Sequence, residues 1–228
     1  MEKAIPSKGA QMGILFISGS NTAVGKTYIT LQLMEQLGKR GLKVVGAKPI
    51  ETGISHLPKG KRDGELILKL SNRLNPTLYL QLEQISPYRF PLPASPIVAV
   101  ERVGQQIEIP KILQSCRQLE QLVDLVIVEG AGGLLVPIKK GYFMADLAQE
   151  LGGRVLIVLT DQLGVINSYH LNQLALEKWG LKGKFVVNLM GKENEFRQIS
   201  YPYLKNFPIW IWQWESKKVV DWILETLK

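Results

Sequence analysis

The sequence predicts an α/β protein, a single domain with a mostly parallel sheet and helices on both faces. Short continuous apolar runs, typical of strands buried on both faces, alternate along the chain with amphipathic helical patterns. The length of 228 residues lies at the upper end of single-domain size. No internal repeat, low-complexity tract or shift of composition divides the chain.

The individual elements follow from these patterns. The predicted strands are residues 13–18, 43–48, 124–128, 154–160, 184–187 and 209–212. The predicted helices are residues 26–40, 64–74, 110–122, 144–151, 167–179 and 217–227. The proline-rich stretch 86–96 is predicted to be a loop. Polar residues 1–12 are predicted to be a flexible lead-in, which leaves 13–228 as the domain.

The composition argues against several functional classes. A net charge of +8 can indicate a nucleic-acid partner, but the basic residues are spread along the chain and no nucleic-acid-binding module accompanies them. We therefore expect no such partner, and a basic surface that attracts anionic nucleotides and carboxylates. No apolar run is long enough to span a bilayer, and residues 1–12 lack the apolar core of a secretory signal. With Cys116 as its one cysteine, the chain is predicted to be cytoplasmic, without internal disulfides, a His/Cys metal cluster or a membrane partner.

A glycine-bounded loop, Gly19–Thr27 (GSNTAVGKT), connects the first predicted strand to the first predicted helix. Glycines let the backbone curl so that successive N–H groups face phosphate oxygens, and the helix N-terminus adds partial positive charge. Lys26 can bridge β- and γ-phosphates, and the Thr27 hydroxyl can ligate magnesium. The spacing is one residue longer than G-x4-G-K-[ST], because Ser20 stands where the first glycine usually falls. The sequence therefore predicts a P-loop NTPase-like three-layer fold, against the alternative of a glycine-rich turn without a ligand.

An acidic residue, Glu129, closes the apolar strand 124–128 and is followed by four small residues. Ligands of open α/β sheets bind at the carboxyl ends of the strands. Glu129 is therefore a candidate magnesium carboxylate, with a surface turn glutamate as the alternative.

Several motifs, taken in order, resemble those of the dethiobiotin synthetase family. They are G-x5-G-K-T, Lys48-Pro49 with Thr52-Gly53, Asp63, Pro87-Tyr88-x-Phe90 with Ser95-Pro96, Glu129–Gly133, Ala145-Asp146, and Leu163-Gly164-x-Ile166-Asn167. The resemblance covers about residues 13 to 190, and the last forty residues match only loosely.

The resemblance implies an ATP- and Mg²⁺-dependent ligase. One amine of 7,8-diaminononanoate captures carbon dioxide as a carbamate, and a carbamate oxygen attacks the γ-phosphate of ATP. The second amine then attacks the carbonyl of the mixed anhydride, which gives dethiobiotin, ADP and phosphate. Such phosphoryl transfer needs chiefly positioning and charge stabilisation.

The family also implies roles for individual residues. Lys48 is expected to hold the carbamate and, with Lys26, to neutralise charge that develops during transfer. Thr22 and Thr52 are expected to contact the diamine or carbamate. Asn167, beside a helix N-terminus, is expected to meet the substrate carboxylate across a homodimer interface.

For the nucleotide and metal, the expected ligands form two sets. The metal set is Thr27, Asp63 and Glu129. The expected ATP contacts are Asn21, Thr22, Ala23, Val24, Gly25, Lys26, Thr27, Glu129, Gly132 and Asn188, the last resembling the asparagine that reads adenine.

Each assignment has a simpler alternative. Taken alone, Lys48 is a solvated strand-end lysine, while Asp63 and Asn167 are ordinary helix N-caps. The chain also departs from the family, which often has glutamate where Ala23 stands and histidine where Ser168 stands.

Three tryptophans, Trp210, Trp212 and Trp214, are predicted to alternate on one face of a terminal strand. Hydrophobic packing or a dimer contact is the favoured interpretation, over adenine stacking.

A partitioning-type ATPase acting on a polymer or protein partner is the main rival. Such proteins carry a signature lysine five residues before the loop lysine, where this chain has Asn21. An amidotransferase-type synthetase would need a glutaminase domain with a nucleophilic cysteine, and Cys116 lies in a helical pattern. A regulator that only binds nucleotide would not require Lys48 or Thr52.

Overall fold

A computed structural model describes residues 13–227. The predicted lead-in 1–12 lies outside the described residues, and the boundaries 13–228 of the domain stay a prediction. Within the described part of the chain, no helix has the length and apolar character needed to cross a membrane.

The described chain alternates strands and helices. The strands are β1 (Gly13–Gly19), β2 (Val44–Ala47), β3 (Ile50–Thr52), β4 (Tyr88–Phe90), β5 (Leu125–Glu129), β6 (Pro137–Lys139), β7 (Tyr142–Phe143), β8 (Arg154–Thr160), β9 (Gly183–Asn188) and β10 (Ile209–Ile211). The helices are α1 (Lys26–Lys39), α2 (Asp63–Leu74), α3 (Leu82–Ile85), α4 (Pro96–Arg102), α5 (Ile109–Glu120), α6 (Met144–Leu151), α7 (Val165–Lys178), α8 (Glu193–Ile199), α9 (Tyr201–Leu204) and α10 (Trp212–Thr226).

The central sheet has six strands in the order β10-β9-β8-β1-β5-β2, and every neighbouring pair is parallel. Successive residues of a strand face opposite sides of the sheet. In β1, Phe16 belongs to a core shared with helices α5, α6 and α7, whereas Ile17 belongs to a second core shared with α1 and α10. Helices therefore cover both faces, and the predicted three-layer α/β fold is confirmed.

The stretch 86–96, predicted to be a loop, contains β4, which pairs in parallel with β3. Tyr88 and Phe90 are buried. The prediction failed here because three-residue strands are too short to show a period, and the pairing joins segments far apart in the chain. Helix α4 was also missed, although Pro96 stands at its first turn, where proline is favoured.

The chain turns directly from β10 into α10 at Trp212, so the predicted terminal strand ends one residue early. Trp210 packs against Trp222, with ring centroids 5.8 Å apart. Trp214 instead contacts Tyr201 edge-on at 5.3 Å and packs on the other core. The prediction that the three tryptophans share one strand face is therefore wrong.

Candidate functional site

The register of three neighbouring strands places the candidate residues at one edge of the sheet. Ile17 of β1 pairs with Glu129 of β5, and Ala47 of β2 pairs with Val128 of β5. The phosphate loop after β1, Glu129 at the end of β5, and Lys48 just after β2 therefore emerge side by side. This is the edge at which open parallel sheets bind their ligands.

The phosphate loop is tightly curled between β1 and α1. Gly25 has φ of 87°, and a Cβ there would lie 2.2 Å from Asn188 Nδ2, so any other residue would be strained and would displace the Asn188 amide. The Lys26 ammonium donates a hydrogen bond to the Asn21 carbonyl at 3.1 Å, so the lysine folds back over its own loop. A Cβ on Gly19 would lie 3.0 Å from Lys26 Nζ. The loop thus has the compact form that a phosphate-binding loop requires.

Ala23 occupies the left-handed region with φ of 58°, which costs a residue with a Cβ about 1–2 kcal/mol. We expect Ala23→Gly to raise the free energy of unfolding by about 1 kcal/mol, measured by chemical denaturation. Ala148→Gly, in the interior of helix α6, is the control and should lower it by at least about 0.5–1 kcal/mol, because it also removes a fully buried methyl group. Equal losses from both changes would contradict the assignment of strain to Ala23.

Glu129 is fully buried and receives hydrogen bonds at both carboxylate oxygens. Its Oε1 accepts from Thr27 Oγ1 at 2.9 Å and from Lys48 Nζ at 2.5 Å. Its Oε2 accepts from Thr30 Oγ1 at 2.9 Å. Lys48 Nζ also lies 3.2 Å from Asp63 Oδ2. Lys48, 5% exposed, is therefore a buried cation between two carboxylates, and its interpretation as a solvated strand-end lysine is wrong.

Burial and neighbouring charges shift the pKa values of Lys26 and Lys48 in opposite directions. Burial and the positive charge of Lys48 lower the pKa of Lys26 to about 8. Burial also disfavours the charged form of Lys48, but the charges and hydrogen bonds of Glu129 and Asp63 outweigh it and hold the Lys48 pKa above its ordinary value. Lys48 is therefore a permanent cation near neutral pH, whereas Lys26 loses its proton only slightly above neutral pH.

This lowered pKa predicts a pH-dependent nucleotide affinity. Lys26 is mostly charged at pH 7 and half charged at pH 8, so the affinity for ADP should fall by less than about twofold from pH 7 to 8 and then by up to about tenfold per pH unit. Isothermal titration calorimetry with ADP between pH 7 and 9.5 measures this. In Lys26→Arg the positive charge persists over this whole pH range, so the ADP affinity of the variant should not change with pH. A wild-type affinity that stays constant to pH 9.5 would contradict a role for the Lys26 charge.

Glu51 is a buried carboxylate in β3 that the sequence did not predict as a site residue. Its Oε1 accepts the backbone N–H of Asp63 at 2.7 Å, and its Oε2 accepts that of Gly64 at 3.2 Å. Glu51 thereby caps helix α2 and holds Asp63 beside Lys48. Burial and the charge of Asp63 raise the Glu51 pKa. The one available signal was a charged residue inside the apolar segment that leads to Thr52.

Asp63 itself is the first residue of α2, and Arg62 is the N-cap. Its carboxylate turns toward Lys48, so the N-cap alternative for Asp63 is wrong. Helix α7 likewise begins at Val165, preceded by Gly164, so Asn167 lies within the first turn and is not its cap.

A cavity of about 620 Å³ joins most of the predicted site residues. Those that line it are Thr22, Ala23, Gly25, Lys26, Thr27, Lys48, Thr52, Asp63, Glu129 and Gly132. Asn21 instead lines a neighbouring cavity, and Asn167 is exposed on α7 outside both.

Val24 and Asn188 meet behind the phosphate loop. Asn188 Nδ2 donates to the Val24 carbonyl at 3.2 Å, and Asn188 Oδ1 accepts from Gln213 Nε2 at 3.0 Å. Gln213, at the start of α10, was not predicted. Asn188 thus lies beside the loop, with its amide orientation held by the last helix.

The oxygen ligands at this edge suit a hard divalent cation. A hydroxyl, Thr27, and two carboxylates, Asp63 and Glu129, converge on the cavity. Among residues 13–227, no group of three or more His, Cys, Asp and Glu side chains could hold a metal by itself. Mg²⁺ is commonly held by one or two carboxylates together with substrate phosphates, and this set fits that pattern.

The fold and this site define a class. A curled glycine-bounded loop at the carboxyl edge of a parallel sheet, with a lysine folded over it, is the P-loop of nucleotide-binding proteins. The family model described as an AAA domain matches residues 14–199. Within this class, relatives that are 34–38% identical over about nine-tenths of the chain show that it belongs to the ATP-dependent dethiobiotin synthetase family, as the motif resemblance predicted.

Curated relatives support that membership along nearly the whole chain. The ATP-dependent dethiobiotin synthetase of Sulfurovum sp. (strain NBC37-1) is 37% identical over 212 residues, which cover 92% of this chain and 97% of the relative. The enzyme of the same name from Wolinella succinogenes is 38% identical over 204 residues, which cover 89% of this chain and 93% of the relative. That of Helicobacter pylori (strain J99) is 34% identical, covering 93% of this chain and 100% of the relative.

Solved structures share the fold at lower identity. A plasmid partition protein from Borrelia burgdorferi has a TM-score of 0.55 and 18% identity, covering 95% of this chain and 97% of that one. The MinC:MinD cell division protein complex of Aquifex aeolicus has a TM-score of 0.52 and 22% identity, and the match covers 87% of this chain and 79% of that one. At these identities the likeness describes the fold alone.

Proposed function

We propose that this protein is an ATP-dependent dethiobiotin synthetase that uses 7,8-diaminononanoate, carbon dioxide and ATP. The observation that carries the proposal is Lys48, a buried cation held between Asp63 and Glu129 beside the phosphate loop. Nucleotide binding alone does not require this second lysine. A reaction that transfers a phosphoryl group to a carbamate does, because negative charge develops where Lys48 stands.

Each group near the cavity has a part in that reaction. Loop N–H groups and Lys26 hold the phosphates of ATP, and Lys48 attracts the carbamate and brings it in line with the γ-phosphate. Thr52 and Thr22 offer hydroxyls on the cavity wall to the diamine or carbamate. The second amine then expels phosphate and closes the ring.

Magnesium is the metal we propose for the site. Thr27, Asp63 and Glu129 would hold it, and the ion, when bound, supplies positive charge that offsets the phosphate oxygens. Lys48 already neutralises part of the charge on both carboxylates. Asn188 is proposed to contact the adenine, since it adjoins the loop through the Val24 carbonyl.

A homodimer is the proposed assembly. A second cavity of about 320 Å³ runs from Ser20 and Thr22 to Leu171 and Asn172 of α7. Two leucines of its wall, Leu135 and Leu171, are exposed, and so are Leu174 on α7 and Leu163 just before that helix. Burying such a patch against a second copy would bring Asn167 of one subunit toward the substrate of the other. Sedimentation equilibrium showing a monomer at working concentration would contradict this.

We further propose a cytoplasmic location. Cys116 is a buried cysteine without a disulfide partner in the described chain, and burial raises its pKa to about 12, so it is an inert thiol. Cell fractionation that recovers the protein with membranes or outside the cell would contradict the proposal.

Phosphate release from ATP and Mg²⁺, measured with and without 7,8-diaminononanoate and bicarbonate, tests the function. Release that needs both, with a product of dethiobiotin mass, is the expected result. Release indifferent to the diamine but stimulated by DNA or a protein partner would instead favour the partitioning ATPase. Asn21, at the position of the signature lysine, argues against that rival.

A further inference from the structure

Helix α1 presents two threonines to the same carboxylate. Thr27 and Thr30 are three residues apart and so lie on one face of the helix. Thr27 Oγ1 donates to Glu129 Oε1, and Thr30 Oγ1 donates to Glu129 Oε2, each at 2.9 Å. The two hydroxyls therefore divide the two oxygens of Glu129 between them.

The hydrogen bond from Thr30 to Glu129 is unusual for a threonine inside a helix. Such hydroxyls commonly bond back to the carbonyl one turn earlier. Thr30 instead gives its hydrogen to Glu129, and neither side chain is exposed to water. A carboxylate oxygen in a dry environment needs a donor, so the Thr30 hydroxyl fixes Oε2 against the helix.

Fixing one oxygen determines the direction of the other. With Oε2 held by Thr30, Oε1 points toward Lys48 and the cavity, where Thr27 also lies. If the Thr30 hydroxyl were removed, Oε2 would compete for Thr27 and Lys48, and the carboxylate would rotate away from the cavity.

We propose that Thr30 is a positioning residue that orients Glu129 for a divalent cation bound with nucleotide. The inference rests on the proposed function, in that Glu129 is a metal ligand there. Thr30 does not face the cavity and acts only through Glu129. Loss of a hydrogen-bond partner behind a metal ligand typically weakens metal binding by about 10–100-fold.

The test compares one substitution that removes the hydroxyl with one that removes only the methyl group. Thr30→Val removes the hydroxyl and keeps the shape, whereas Thr30→Ser keeps the hydroxyl. Electron paramagnetic resonance titration of the full chain with Mn²⁺ in the presence of ADP gives the metal affinity without any turnover. We expect Thr30→Val to bind Mn²⁺ about 10–100-fold more weakly, and Thr30→Ser to bind it like the unaltered protein.

A matched control comes from Ser71, a fully buried hydroxyl on α2 that accepts the Gly46 N–H and contacts no site carboxylate. Ser71→Ala should lower thermal stability without changing Mn²⁺ affinity. If Thr30→Val does not fold, Thr30→Ala removes the same hydroxyl with less risk of crowding.

The outcomes separate the inference from the function on which it rests. Unchanged Mn²⁺ affinity in a folded Thr30→Val, with only a lower melting temperature, would overturn the inference while leaving the metal site in place. No Mn²⁺ binding by the unaltered protein with ADP would overturn both. Absence of diamine-dependent phosphate release would overturn the proposed substrate and leave this measurement valid.

Discussion

Replacing Lys48 with methionine is expected to abolish diamine-dependent phosphate release while leaving ADP affinity close to that of the unaltered protein. The Lys48 cation stands between Asp63 and Glu129, where the carbamate and γ-phosphate would meet, whereas loop N–H groups and Lys26 hold the nucleotide. Losing transition-state charge stabilisation of this kind costs about 10²–10³-fold or more in turnover. Phosphate release and calorimetric ADP binding measure the two effects separately. A parallel loss of binding and turnover would refute the catalytic assignment.

The same substitution has a second consequence, for stability. Without Lys48, Glu129 is left as an unpaired charge with no exposure to water, which costs about 3–5 kcal/mol in the free energy of unfolding. Adding Glu129→Gln removes that charge, so the double variant should recover much of the stability and none of the turnover. Lys140→Met, an exposed lysine, is the control and should change neither. Equal stability of the single and double variants would show that the pair is not coupled.

Gly25→Ala is expected to weaken ADP binding by about 100-fold or more. A Cβ at this position would lie 2.2 Å from Asn188 Nδ2, and φ of 87° is strained for alanine. The loop must shift to relieve the overlap, and its N–H groups then no longer converge on phosphate. Calorimetry with ADP and Mg²⁺ measures the loss.

Gly141→Ala separates overlap from backbone strain. Gly141 has φ of 72° in the turn between β6 and β7, and a Cβ there would meet nothing within 4 Å. This control should cost about 1–2 kcal/mol of stability and leave ADP binding unchanged. Equal ADP affinity in Gly25→Ala and the unaltered protein would refute close approach of Asn188 as the reason for glycine.

The long elements of this fold were predictable because their patterns are local. The strands β1, β5 and β8 are continuous apolar runs, and the helices between them have helical spacing. Short elements were not predictable. The strands β3 and β4 are stabilised by pairing with each other, although they lie far apart along the chain. The tryptophans near the C-terminus were placed on one strand since alternation alone does not reveal where a strand gives way to a helix.

For the site, motif and position predicted the loop and Glu129, and the family resemblance implied Lys48 and Asp63. The fold brings all of them to one cavity. Glu51 escaped prediction because its partners are backbone N–H groups twelve and thirteen residues further along the chain. Thr30 escaped it too, since a threonine within a helix looks ordinary until the carboxylate it contacts is known.

By itself, then, the sequence determined the class of fold and the phosphate loop, because each is encoded in a short contiguous pattern. Lys48 and Asp63 followed from the order of motifs that resembles a known family. Only the tertiary structure decided how these charges meet. The parallel register of β1, β5 and β2 sets Lys48 against Glu129, and packing of α1 against β5 brings Thr30 to its second oxygen. Those contacts depend on distances between residues about 80 to 100 positions apart, which local spacing does not encode.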